Sequence, residues 1–128
     1  MDRRVVVTGM GAVTPLGCTV DTFWEELKNG KCGIDLIQKF DTTDFKVKVG
    51  AEVKDFDPEL YMSKKDVKRN DPYAVYALAA AVQAFDDSGL DMEKEDAAKV
   101  GVIVGSGIGG LMTMQEQVIR LHEKGPSR

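Results

Sequence analysis

Histidine and cysteine are scarce in this chain: of 128 residues one is histidine, His122, and two are cysteines, Cys18 and Cys32. A structural zinc site takes four Cys or His ligands, so no such centre is expected. The cysteines are too far apart for a CxxC redox pair and too few for a disulfide framework. A hydrolase triad with its own histidine would have to use His122. Long apolar runs are also missing: a membrane helix needs about 20 residues, and none approaches that length. Val5-Val6-Val7, after Asp2-Arg3-Arg4, is too short for the apolar part of a secretory signal, and no small-residue cleavage site follows. A cytoplasmic protein without a membrane segment is therefore expected. Basic charge is not in excess either. Seventeen Lys and Arg against 21 Asp and Glu leave a net charge of −4, and nucleic acid selects strongly basic domains or faces.

What is present suits a globular α/β protein: 43% apolar and 30% charged residues, in the ordinary range, and a length of one domain. Arg3 to Thr8 reads as a strand, because three consecutive valines are stiff at χ1 and an unbroken apolar run suits a sheet covered on both faces. Gly9, Gly11, Pro15 and Gly17 then mark a long turn. Thr19 is a good N-cap for a helix ending near Asn29, with Gly30 beyond its end. Val20, Phe23, Trp24 and Leu27 give that helix a core-facing stripe. Lys31 to Asp44 reads as a connection, and the alternation Val47, Val49, Ala51, Val53 as a half-exposed strand.

Ser63 caps a short polar helix through Arg69, and Asp71-Pro72 starts a longer one that runs to about Ser88 and stops at Gly89. Val75, Leu78, Val82 and Phe85 form its apolar stripe. Its alanines at 77, 79, 80, 81 and 84 admit two readings: close approach by another element, or helix propensity alone. Val100 to Val104 reads as a second buried strand, and Leu111 to Glu123 as a helix with Leu111, Met114, Val118 and Leu121 on one face.

Two features invite functional readings. Gly105-Ser106-Gly107-Ile108-Gly109-Gly110 satisfies G-x-G-x-x-G between a predicted strand and a predicted helix, the setting of a dinucleotide fingerprint. No further strand with a ribose-binding acid follows, and the alternative is a turn where glycines let backbones pack closely around Ile108. Lys65, Lys68 and Arg69 share one helix face at i, i+3, i+4 within a net acidic chain. That cluster is either a solvated face or a docking patch for an acidic partner.

Taken in order, Val5-Val6-Val7-Thr8-Gly9-Met10-Gly11-Ala12-Val13-Thr14-Pro15-Leu16-Gly17, Phe40-Asp41-Thr42, the Asp71 helix start, Asp87-Ser88-Gly89-Leu90 and the 105–110 glycine segment resemble the N-terminal portion of a beta-ketoacyl-acyl carrier protein synthase, closest in spacing to the type II elongating enzymes. The resemblance covers residues 1–128. It implies a thiolase-like, layered α/β/α fold, here an incomplete N-terminal half. It implies an acyltransferase of fatty acid biosynthesis that carries out a decarboxylating Claisen condensation of acyl chains with malonyl-acyl carrier protein. No cofactor or metal is implied. The expected partners are acyl carrier protein, acyl and malonyl thioesters and, for the full-length protein, a second copy in a homodimer.

The family's catalytic cysteine and histidines have no counterpart here: neither Cys18 nor Cys32 lies in the family's Thr-Ala-Cys-like segment, and His122 matches neither histidine. The resemblance thus implies a chain that stops before its nucleophile and is inactive alone. Without partners for its buried strands, the chain by itself is expected to aggregate or stay partly unfolded. Non-catalytic positions do carry over: Ile108 and Leu111 to the acyl pocket, and Lys65, Lys68, Arg69 and Arg128 to carrier-protein binding. The alternatives are a nucleotide-binding half-domain using Gly105–Gly110 and a non-catalytic, chain-length-factor-like subunit.

Overall fold

A computed structural model describes residues 3–127. Its helices are α1 (Val20–Lys28), α2 (Lys64–Val67), α3 (Pro72–Ser88) and α4 (Leu111–Lys124), and its strands β1 (Ile34–Leu36) and β2 (Val49–Ala51). Two 3-10 turns lie at Pro58–Leu60 and Ala97–Lys99. Two compact units share the chain: Met1–Asp57 with Ala79–Asp91, and Pro58–Leu78 with Met92–Arg128. No helix is long and apolar enough to cross a membrane among the described residues.

In the first unit, local chemistry sets α1. The Thr19 hydroxyl accepts the Thr22 N–H at 3.2 Å, and the Thr22 hydroxyl accepts the Thr19 N–H at 3.2 Å, a reciprocal cap. Asn29 and Gly30 close the other end, as the cap pattern in the sequence requires. The apolar stripe is only partly covered, with Trp24 and Leu27 exposed. β1 and β2 pair antiparallel, Ile34 opposite Ala51 and Leu36 opposite Val49. β1 lies inside the stretch read as a connection. Glu52 extends the hairpin by accepting the backbone N–H groups of Gln38 and Lys39 at 3.0 and 3.2 Å.

The long glycine turn runs along the second half of α3. The Met10 N–H donates to Asp87 Oδ2 at 2.8 Å and the Ala12 N–H to Gln83 Oε1 at 3.2 Å. Two residues of extended chain advance about 6.6 Å, and four residues of helix about 6 Å, so acceptors at i and i+4 match donors at j and j+2. The same register places Gly9 over the Ala84 carbonyl and Gly11 over the Ala80 carbonyl, and a Cβ at either position would collide with that backbone. The close approach is thus to the α3 backbone at positions 80 and 84, where small side chains are compatible with it. Gln83 also donates to the Cys18 carbonyl at 2.8 Å, tying the far end of the turn to the same helix.

In the second unit, Ser63 caps α2 by accepting the Asp66 N–H at 3.2 Å. The helix proper ends at Val67, but the Arg69 N–H still reaches the Asp66 carbonyl at 2.9 Å, so the chain stays helical in course through the basic cluster. α3 opens at Asp71-Pro72 as its sequence indicates: the Ala74 N–H donates to the Asp71 carbonyl at 2.9 Å. α4 runs from Leu111 and ends at Gly125.

Two expectations are corrected. Neither Arg3–Thr8 nor Val100–Val104 forms a strand, and neither is buried: Val7 is 82% exposed and Ile103 97% exposed. A strand exists only through a ladder, and no described segment pairs with either stretch. Among the described residues the buried apolar set is Val75 in the second unit and Ala79 in the first, four residues apart on α3.

Candidate functional site

The second unit carries most of the residues singled out by sequence. Lys65, Lys68 and Arg69 are all exposed. Lys64 beside them pairs with Glu59 at 3.7 Å, whereas Lys65, Lys68 and Arg69 make no ion pair among the described residues. Their charge is thus available to an outside group. Lys68 and Arg69 line one wall of a cleft of about 470 Å³ with Asn70, Asp71 and Pro72; Met112, Thr113, Glu116 and Gln117 of α4 line the opposite wall. Lys65 lies outside that lining. Arg128 lies outside the described residues.

Asp71 joins the two walls. Its Oδ2 accepts both the backbone N–H and the hydroxyl of Thr113, each at 2.9 Å. Thr113 is the third residue of α4, whose N-cap, Gly110, has no side chain to offer. The Asp71 carboxylate therefore satisfies one of the donors every helix leaves open at its start. The Thr113 N–H, helped by the Thr113 hydroxyl and the Tyr73 N–H, holds the Asp71 carboxyl below its ordinary value of 3.8, against a smaller desolvation effect. Sequence reasoning assigned Asp71 only to the start of α3. Its carbonyl accepts the Ala74 N–H at the start of its own helix, while its carboxylate offers that helix only a long 3.5 Å contact with the Tyr73 N–H among the described residues.

The glycine segment leads into this start. The Gly109 N–H donates to Ser106 Oγ at 3.0 Å, closing a turn around Ile108, and Gly109 has a φ of 78°, a conformation that favours glycine. Ile108 is 73% exposed and Leu111 53% exposed. Both stand at the tip of this turn and the first residue of α4, and neither lines the 470 Å³ cleft. Residues 100–104 before the segment form no strand, so the strand–turn–helix setting of a dinucleotide fingerprint is not present.

The first unit contains a second cleft, about 530 Å³, bordered by both cysteines. Its lysines are already paired, Lys54 with Asp35 and Lys31 with Glu26, each at 2.9 Å. Partial burial, with Asp55 nearby, pushes the Cys18 thiol above its ordinary value. That favours the thiol over the thiolate, the reverse of what a nucleophilic cysteine needs. Cys32 is an exposed free thiol.

The family described as beta-ketoacyl synthase, N-terminal domain, matches residues 2–128. The 3-oxoacyl-(acyl-carrier-protein) synthase 2 of Vibrio harveyi is 50% identical over 126 residues, covering 98% of this chain and 30% of that protein. The chain thus spans about 30% of the length of the curated relatives it matches. Among solved structures, the ishigamide ketosynthase/chain length factor superposes with a TM-score of 0.77 at 29% identity. A type II polyketide acyl-carrier protein in complex with its ketosynthase bound to the hexaketide gives 0.72 at 28%. Each alignment covers 94% of this chain and 30% of the other. The fold is that of the ketosynthases, thiolase-like α/β, represented here by a partial N-terminal domain.

Proposed function

This chain belongs to the beta-ketoacyl synthase family, in its N-terminal domain, and we propose that it forms the carrier-docking and acyl-handling part of a 3-oxoacyl-acyl carrier protein synthase of the type II elongating kind. The whole protein would be an acyltransferase. An acyl group passes from its carrier thioester to an enzyme cysteine. Malonyl-acyl carrier protein then loses carbon dioxide, and the resulting enolate attacks the acyl thioester and expels the cysteine thiolate. The thiol chemistry of Cys18 and the context of Cys32 and His122 support a nucleophile and histidines supplied by the remainder that the relatives possess. This portion alone would then be inactive, and the whole protein a homodimer in the cytoplasm.

The observation that carries the docking reading is the set of three cations, Lys65, Lys68 and Arg69, that make no ion pair among the described residues, on a chain of net charge −4. Such a patch raises the rate of encounter with a strongly acidic carrier protein. Ile108 and Leu111, exposed at and beside a glycine turn, would form part of the acyl-pocket wall, and Arg128 would join the carrier patch. The test is charge reversal of Lys65, Lys68 and Arg69 to Glu in the whole protein. KM for carrier-linked acyl groups is expected to rise about tenfold at low salt, with the difference shrinking as salt is added. An unchanged KM across low and moderate salt would remove the patch from carrier docking. A non-catalytic, chain-length-factor-like subunit of the same fold is favoured by one observation, the superposition on a ketosynthase/chain length factor. The residue at the nucleophile position of the whole protein separates the two.

A further inference from the structure

We propose that Asp71 is a positioning residue that fixes the start of α4, and with it the turn bearing Ile108, to the segment bearing Lys68 and Arg69. Its functional consequence rests on the docking and pocket reading above. The linkage can be followed bond by bond. Asn70 clasps the end of α2, its backbone N–H and its Nδ2 both donating to the Asp66 carbonyl, at 3.1 and 2.9 Å. Asp71 follows directly, and its carboxylate reaches 42 residues along the chain to grip Thr113 by two donors. Gly110 packs against the same carboxylate, so closely that a Cβ there would stand 3.1 Å from Asp71 Oδ2. One residue earlier, Gly109 is held by Ser106 in the turn around Ile108.

Among the described residues no other side chain caps the start of α4, and every residue of that helix is exposed. Its start is therefore located by this one carboxylate rather than by a packed core. Lys68 and Arg69, two and three residues before Asp71, share the cleft with Met112 and Thr113. A partner that engages the cations therefore acts on a segment tied through Asp71 to the start of α4, beside Ile108 and Leu111.

The experiment uses Asp71→Ala and Asp71→Asn in the whole protein, with hydrogen exchange at the Thr113 amide and condensation kinetics as readouts. Asp71→Ala is expected to speed Thr113 exchange about fivefold, the scale of a lost helix cap. It is expected to lower kcat about tenfold through misplacement of the pocket wall, with KM for the carrier-linked acyl group near the parent value because the cations remain. Asp71→Asn keeps an oxygen acceptor for Thr113 and is expected to restore most of both readouts. A role in general stability would not produce that split between kcat and KM. Unchanged Thr113 exchange in Asp71→Ala overturns the proposal, and so does faster exchange with parental kcat. Should Asp71→Ala fail to fold, Thr113→Val, which keeps the N–H and loses the hydroxyl donor, is read by the same two measurements for a shift of about twofold. Absence of condensing activity in the parent protein would sink the functional reading, while the exchange arm still decides whether Asp71 pins α4.

Discussion

Two glycine-rich segments follow two valine-rich stretches in this chain, and the structure uses them in opposite ways. Gly9 and Gly11 lie against the Ala84 and Ala80 carbonyls of α3, with no room for a Cβ at either position. Gly105 and Gly107 meet nothing within 4 Å of where a Cβ would stand. The first pair is a packing device: it lets the backbone of the turn come against the backbone of α3. The second pair leaves its turn free around one large apolar side chain, Ile108. Composition does not distinguish the segments. What distinguishes them is whether the backbone of a helix lies against them.

The contrast breaks or stands on one substitution made twice. Gly11→Ala in the whole protein forces a Cβ into the Ala80 carbonyl and costs the hydrogen bond from the Ala12 N–H to Gln83 if the chain retreats. A loss of about 3 kcal/mol is expected from such overpacking, read as a large fall in the denaturation midpoint. Gly107→Ala meets open space at a φ that is not left-handed. Its stability is expected to lie within about 0.5 kcal/mol of the parent, or slightly above it because the unfolded chain loses freedom. Equal stability losses at Gly11 and Gly107 would end the distinction between a packed and an open glycine turn.

The parts of the fold that were legible in the sequence are those set by neighbours within about four residues. Thr19, Ser63 and Asp71-Pro72 all mark helix starts where the structure has them, because capping is local chemistry. The valine stretches were not legible in the same way. Val5-Val6-Val7 and Val100–Val104 have strand composition, but a strand also needs a partner, and no described segment supplies one. β1 was missed for the converse reason: three residues, Ile34-Asp35-Leu36, carry too little periodicity to stand out, and only the register with β2 defines them. At the candidate site, the exposed cations were readable from spacing. The cleft beside Lys68 and Arg69 was not, because its second wall comes from α4. Nor was the bond from Asp71 to Thr113, since nothing in an N-terminal Asp-Pro announces that its carboxylate serves another helix.

That bond also gives the smallest expected effect, an acid sensitivity at the start of α4. The Thr113 N–H, ahead of the Thr113 hydroxyl and Tyr73 N–H, keeps the Asp71 carboxyl below 3.8. A carboxyl with a lowered value in the folded state stabilises that state fully above its unfolded value, and the contribution is lost as pH falls through the folded one. The tether on the 105–110 turn should therefore hold unchanged through neutral and mildly acidic solution and release only below about pH 4. Following the Thr113 amide by NMR from pH 6 downward should show a midpoint below 3.8, absent in Asp71→Asn. A midpoint above that value, or one that survives Asp71→Asn, would mean that another group holds the start of α4.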